Sequence, residues 1–225
     1  MNILEIISIL FQLIINTIGT IDNLIEINEK KYLKTIKIAS RIFDLFESEI
    51  VVNFSDAFKT FNGGTFQSKF YVPFSNNKLI TIKNVDDEGF TTSSISYLSD
   101  EKADSKYLLK IGDIVLTMTG NIGRTGIVDE DNCYLNQRVL KIHSPSNLYL
   151  LCYLQKYKHE IIQLGKGTAQ LNLSLEDLNK LEVKNSVDEI LSFSKYDFIY
   201  SELINIKLQI KNLKKIRSNL LSKYF

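Results

Sequence analysis

The spacing of apolar residues changes twice along this chain, and those two changes constrain its fold more than any other feature. Residues 3–47 carry a helical period, with Ile21, Leu24, Ile25, Tyr32, Leu33, Ile36, Phe43 and Phe46 recurring at intervals near three and four. Gly19 is expected to interrupt that helix. Lys30, Lys31, Lys34, Lys37 and Arg41 fill much of the remaining surface, which reads as a solvated face. From Ile50 to about Val187 the runs are short and strand-like, as in Lys78–Lys83 and Arg138–Ile142. Turn clusters at 62–65, 75–77, 86–89, 99–105, 129–132 and 144–147 divide them. Within this stretch Leu148–Leu164 predicts a helix, and Leu175–Leu181 a shorter one capped by Ser174.

Helical spacing returns at 197–225. Ile199, Leu203, Ile206, Ile210, Leu213, Leu220 and Tyr224 follow a heptad seam with Arg217 at the missing position. About 26 residues at a rise of 1.5 Å give a rod of about 39 Å. A seam that narrow needs a partner helix. An ungapped alignment of Asn23–Phe46 with Glu202–Phe225 matches Leu24 with Leu203, Ile25 with Ile204, Ile27 with Ile206 and Phe46 with Phe225. The same chain is therefore expected to supply the partner. The fold class is α+β: an N-terminal helical region at 1–49, one mixed α/β domain at 50–190 and a C-terminal helix at 191–225.

Residues 3–18 are strongly apolar, but Glu5 interrupts the run and Asn16 closes it. The run is shorter than the roughly 20 residues that span a bilayer. It reads as a buried helix face in a cytoplasmic protein with no membrane partner. Cys133 and Cys152 form no CxxC pair, and with His143 and His159 they match no common zinc spacing, so no metal or other cofactor is expected.

The formal net charge of +1 conceals an asymmetry. Residues 1–50 hold 5 Lys/Arg and 7 Asp/Glu, residues 51–190 hold 15 and 17, and residues 191–225 hold 7 and 2. A chain that gripped nucleic acid by bulk charge alone would be more basic. Any such role must rest on local placement. Enzymatic constellations are not evident: Gly165-Lys166-Gly167-Thr168 follows Glu160 where a P-loop needs glycine, and neither histidine has a motif-spaced nucleophile. Asp86-Asp87-Glu88 reads as a turn.

Three segments instead combine glycine, small polar residues and a cation: Asn62–Lys69, Thr119–Gly126 and Gly165–Asn172. In the second, Ile114, Leu116 and Met118 alternate with Val115, Thr117 and Thr119 as a strand, Gly120, Gly123 and Gly126 break it, and Ile127-Val128 begin the return. Glycine frees backbone N–H groups that can hold a phosphodiester, while Asn, Gln and Arg can read base edges.

The order of these motifs completes the reading. Gly63-Gly64-Thr65-Phe66-Gln67-Ser68, Ile80–Val85, Leu109–Arg124, Leu135-Asn136-Gln137-Arg138 and Gly167–Ser174 together resemble a target-recognition domain of the DNA-specificity (S) subunits of type I restriction–modification systems. Asp22–Glu26 onward and Leu213–Phe225 are similar to that family's two spacer helices. A full subunit of the family alternates two such domains with two helices; this sequence holds one domain, and Phe66 stands where the family's first loop usually has proline.

The resemblance implies a non-catalytic subunit reading one half of a bipartite site in double-stranded DNA. Its two helices would pair as an antiparallel coiled coil and dock a methyltransferase (M) subunit, and through it a restriction (R) subunit. A homodimer would restore the second domain. Expected DNA contacts are Arg124, Asn121, Thr119 and Lys69, followed by Gln137, Arg138, Lys166, Gln170 and Asn172. Expected helix-pairing residues are Leu24, Ile25, Ile36, Ile206, Ile210 and Leu213. The alternative is a degenerate half-subunit that binds protein partners and reads no DNA.

Overall fold

A computed structural model describes residues 3–46, 48–168 and 170–224. The first element, α1, runs unbroken from Ile3 to Asp44. Gly19 does not interrupt it. A helical glycine costs only about 1 kcal/mol relative to alanine, and the turns on either side carry i to i+4 bonds. Gln12 donates to Asn16 (3.0 Å), and the Thr17 and Thr20 hydroxyls donate to the carbonyls of Leu13 and Asn16. Among the described side chains of 3–18 the expected buried face is not seen: Ile9, Phe11, Leu13 and Ile15 are 48–62% exposed. A run apolar on every side has no polar face to turn outward, so part of it meets water.

The chain divides into two compact units, Ala39–Ser201 and the pair of segments Met1–Ile38 and Glu202–Phe225. The first contains β1 (Val52–Asn53), α2 (Phe54–Ala57), β2 (Lys59–Asn62), β3 (Tyr71–Val72), β4 (Lys78–Ile80), β5 (Val85–Asp86) and β6 (Gly89–Phe90). There follow β7 (Ser96–Leu98), β8 (Leu108–Leu109), β9 (Ile114–Thr117), β10 (Thr125–Ile127), β11 (Cys133–Leu135) and β12 (Val139–His143). The unit closes with α3 (Asn147–Lys156), α4 (Lys158–Gln163), α5 (Leu175–Asn179), β13 (Glu182–Val183), α6 (Val187–Phe193) and the start of α7 (Asp197–Tyr224).

Two sheets carry the framework. One is antiparallel with the order β10-β9-β12-β2; the other has the order β3-β7-β4-β11-β8, in which only the β4–β11 pair is parallel. All four residues of β9 are buried, because it is central and covered on both faces. The alternation of its sequence therefore marks two packed faces. Chain passing directly from β11 through Asn136 into β12 joins the sheets.

Helix α3 is buried from Leu148 through Leu154. Tyr149 and Tyr153 pack among Phe43, Phe54, Phe58 and Phe193, with ring centroids 4.9–6.2 Å apart. The predicted helix 148–164 is two helices, α3 and α4, hinged at Tyr157, whose ψ of 19° leaves the helical range. Asp197 caps α3: one carboxylate oxygen accepts from the Ser146 hydroxyl (2.6 Å) and the Leu148 N–H (3.1 Å). The Tyr200 hydroxyl donates to the Gly112 carbonyl at 2.6 Å, tying the first turns of α7 to the turn before β9. As expected, Ser174 caps α5 through the Asp177 N–H. Both cysteines are buried.

In the other unit, ion pairs link the two helical segments, among them Asp22–Arg217 (2.7 Å), Glu29–Lys214 (2.8 Å) and Lys31–Glu202 (2.5 Å). Residue numbers rise along one segment as they fall along the other. Of the residues predicted to pair, Ile25 and Ile206 are buried, Ile36, Ile210 and Leu213 half-buried, and Leu24 is 43% exposed. Leu24 and Ile25 stand about 100° apart around a helix, so a narrow seam takes only one of them. Among the described residues no helix is long and apolar enough to cross a membrane.

Candidate nucleic-acid interface

The three glycine segments, far apart in sequence, are joined edge to edge by backbone hydrogen bonds. Gly64 donates to the Leu135 carbonyl (2.8 Å), and its own carbonyl accepts from Gln137 (3.0 Å). The next bond runs from Met118 N–H to the Arg138 carbonyl (3.0 Å). Leu173 then donates to the Met118 carbonyl (2.8 Å), and Gly120 to that of Leu171 (2.9 Å). The order is 63–65, 136–138, 118–120, 171–173. The strip is irregular: Gln137 and Arg138 form a turn closed by the Val139 N–H on the Asn136 carbonyl (2.9 Å), and Gly120 takes a positive φ of +73°.

Glycine is required where these segments close on one another. A Cβ at Gly63 would lie 2.2 Å from the Asn136 carbonyl, and one at Gly167 would lie 2.4 Å from the Gln170 carbonyl, where φ is +128°. At Gly120, with φ of +73°, a Cβ would stand 3.5 Å from the Gln170 side-chain nitrogen, which sets the Gln170 amide beside the loop at 119–126. Thr117, fully buried, clasps the base of that loop: its hydroxyl accepts from the Arg124 N–H (3.1 Å) and donates to the Asn121 carbonyl.

The predicted contact residues occupy this ladder unequally. Asn121, Gln137, Arg138, Lys166, Gln170 and Asn172 are exposed along it or on the tips it supports. Gln137 accepts from the Thr65 hydroxyl (2.7 Å), which locks the first segment to the second. Asn172 donates to the Gln170 carbonyl (3.2 Å). Thr119 lies within the ladder, bridged to Asn172 and only 8% exposed. Lys69 stands apart in the 3-10 turn Ser68–Phe70, its ammonium 4.9 Å from the Phe70 ring; no contact joins it to the ladder among the described residues.

Two of the predicted cations are held by acids. Arg124 pairs with Asp87 at 2.6 Å and Lys166 with Asp177 at 2.9 Å. Asp87 also receives Lys158 at 3.1 Å on its other oxygen. Hydrogen bonds from Arg124 and then Lys158 hold the Asp87 carboxyl below the usual carboxylate range. The Asp177 carboxyl is lowered by Lys166 first and the Ser174 hydroxyl second. Thr117, Asp87 and Lys158 are the participants that sequence reading missed. The short polar run 86–88 signals a turn, and nothing in its spacing tells which cations it meets. Among the described residues no cluster of His, Cys, Asp or Glu could hold a metal ion.

Solved structures share this fold. The S subunit of a type I restriction–modification system from M. genitalium superposes with a TM-score of 0.59 at 15% identity, over 98% of this chain and 60% of that one. The HsdS subunit from Thermoanaerobacter tengcongensis gives 0.51 at 13%, over 94% and 56%. A structure concerned with complex assembly and conformational transition of the type I R-M system gives 0.51 at 12%, over 99% and 60%. The chain thus spans less than two thirds of the length of each of these proteins, and at such identities the likeness is one of fold. No curated protein sequence matches. A family model for the type I restriction modification DNA specificity domain matches residues 40–185, well over half the chain, and this protein therefore belongs to that family.

Proposed function

We propose that this chain is a DNA-recognition subunit of a type I restriction–modification system, reading one half of a bipartite site. The observation that carries the reading is the ladder, which gathers three glycine segments onto one hydrogen-bonded strip. Along it Asn121, Gln137, Gln170 and Asn172 offer paired amide donors and acceptors, and each bidentate amide–base contact discriminates by about 1–3 kcal/mol. Arg138, Lys166 and Arg124 supply the phosphate contacts that set position. Lys69, away from the strip, would touch a flanking phosphate. The unit carrying the ladder holds 17 Lys/Arg and 21 Asp/Glu between residues 39 and 201. Recognition therefore depends on placed groups more than on overall attraction.

The two helices serve as spacer and dock. Their ion pairs and their opposed chain sense support an antiparallel coiled coil with Ile25, Ile36, Ile206, Ile210 and Leu213 in the seam and Leu24 at its rim. A methyltransferase subunit docks on this pair and recruits a restriction subunit in turn. Methylation and cleavage belong to those partners. A homodimer of the chain would present two recognition domains, one for each half of the site.

The test is to co-purify the chain with a type I methyltransferase subunit and map the methylated bases. One discrete motif supports the reading. Stable association without methylation of any defined sequence identifies a protein-interaction module instead.

A further inference from the structure

The unit that bears the ladder has more acids than bases, and one acid lies on two cations beside the 119–126 loop. Arg124 is seated in the fold: its N–H donates to the Thr117 hydroxyl, its carbonyl accepts from Thr117 N–H at 3.0 Å, and its side chain is only 23% exposed. Lys158 opens α4, and its carbonyl would lie 3.5 Å from a Cβ at Gly123, inside the same loop. Asp87, by contrast, sits at the tip of the β5–β6 turn with its side chain 65% exposed. Its two oxygens take one cation each, Arg124 at 2.6 Å and Lys158 at 3.1 Å. Two non-bridging oxygens of a phosphodiester would engage the same pair in the same way. An exposed pair of this kind is weakly held, and the outlying acid can leave without uncovering the interior.

We propose that Arg124 and Lys158 form a seat for a backbone phosphate, and that Asp87 fills the seat until a duplex presents a phosphodiester there. The inference rests on the DNA-binding reading and assigns Lys158 and Asp87 a part in it. Asp87 lowers attraction to DNA of any sequence, so that the seat is used only when contacts along the ladder bring a phosphate into register.

The experiment uses the full-length chain and a random-sequence duplex, with affinity followed by fluorescence anisotropy between about 50 and 200 mM salt. Asp87→Asn should bind about fivefold more tightly at the low end, and the slope of log affinity against log salt should steepen by about one. Lys158→Gln in the native background, where Asp87 keeps the seat closed to unselected DNA, should leave that slope nearly unchanged, and added to Asp87→Asn it should abolish most of the gain. Asp87→Glu should behave as the native chain. Asp87→Asn binding no tighter than the native chain, with an unchanged slope, would overturn the seat while leaving DNA binding intact. A native chain with no salt-dependent affinity, matched by every variant, would overturn the DNA-binding reading and the seat together.

Discussion

Gly63 shows how one residue type fixes a site. With its would-be Cβ 2.2 Å from the Asn136 carbonyl, Gly63→Ala must push the first segment off the ladder. The expected loss is about 1–3 kcal/mol of stability in urea unfolding, with binding affected as well; an unchanged midpoint would mean that the backbones part easily. Thr117 is the matching clasp. Thr117→Val keeps the shape but leaves the buried Arg124 N–H without its acceptor, which should cost about 1–3 kcal/mol in the same assay. Cys152 shows the opposite case, a reactive residue type made inert. Burial, with Asp44 nearby, pushes its thiol up to about 12. Since the thiolate is the nucleophile, alkylation at pH 8 should label Cys152 only after unfolding. The sequence made the glycines legible because spacing reveals them. It hid the Thr119 side chain inside the ladder, since a polar residue in an exposed-looking loop carries no mark of the strand that will cover it.

At the scale of elements, helices were read well and joints poorly. The heptad spacing anticipated α7 over Asp197–Tyr224, whereas the hinge at Tyr157 between α3 and α4 has neither glycine nor proline to announce it. Gly19 misled in the other direction, because a cost of about 1 kcal/mol is too small to break a helix of 42 residues. Asp197 joins two elements by capping α3 from the start of α7. Asp197→Ala should lower stability by about 1–2 kcal/mol, read as a fall in Tm. The ion pairs of the helical unit make a smaller prediction. Reversing Arg217 alone to Asp should destabilise by roughly 0.2–1 kcal/mol, and adding Asp22→Arg should restore most of it. A double variant no better than the single would show that this pair does not join the helices.

For the whole molecule, the domain between two helices could be read from periodicity alone, while its assembly from two sheets could not. Strands of two to five residues leave little periodic signal, and the parallel β4–β11 pair joins segments more than 50 residues apart. The convergence of the three glycine segments is a property of that topology. On the proposed function, a net-acidic unit recognises DNA through that one strip of hydrogen-bonding groups, held in register by backbone pairing. The most direct measurement is selection from a random duplex library by the chain bound to a methyltransferase subunit, repeated with Gln137→Ala and Gln170→Ala. One enriched half-site is expected for the native chain, with preference relaxed at separate positions in each variant. Enrichment of no sequence, or an identical half-site from all three proteins, would contradict it.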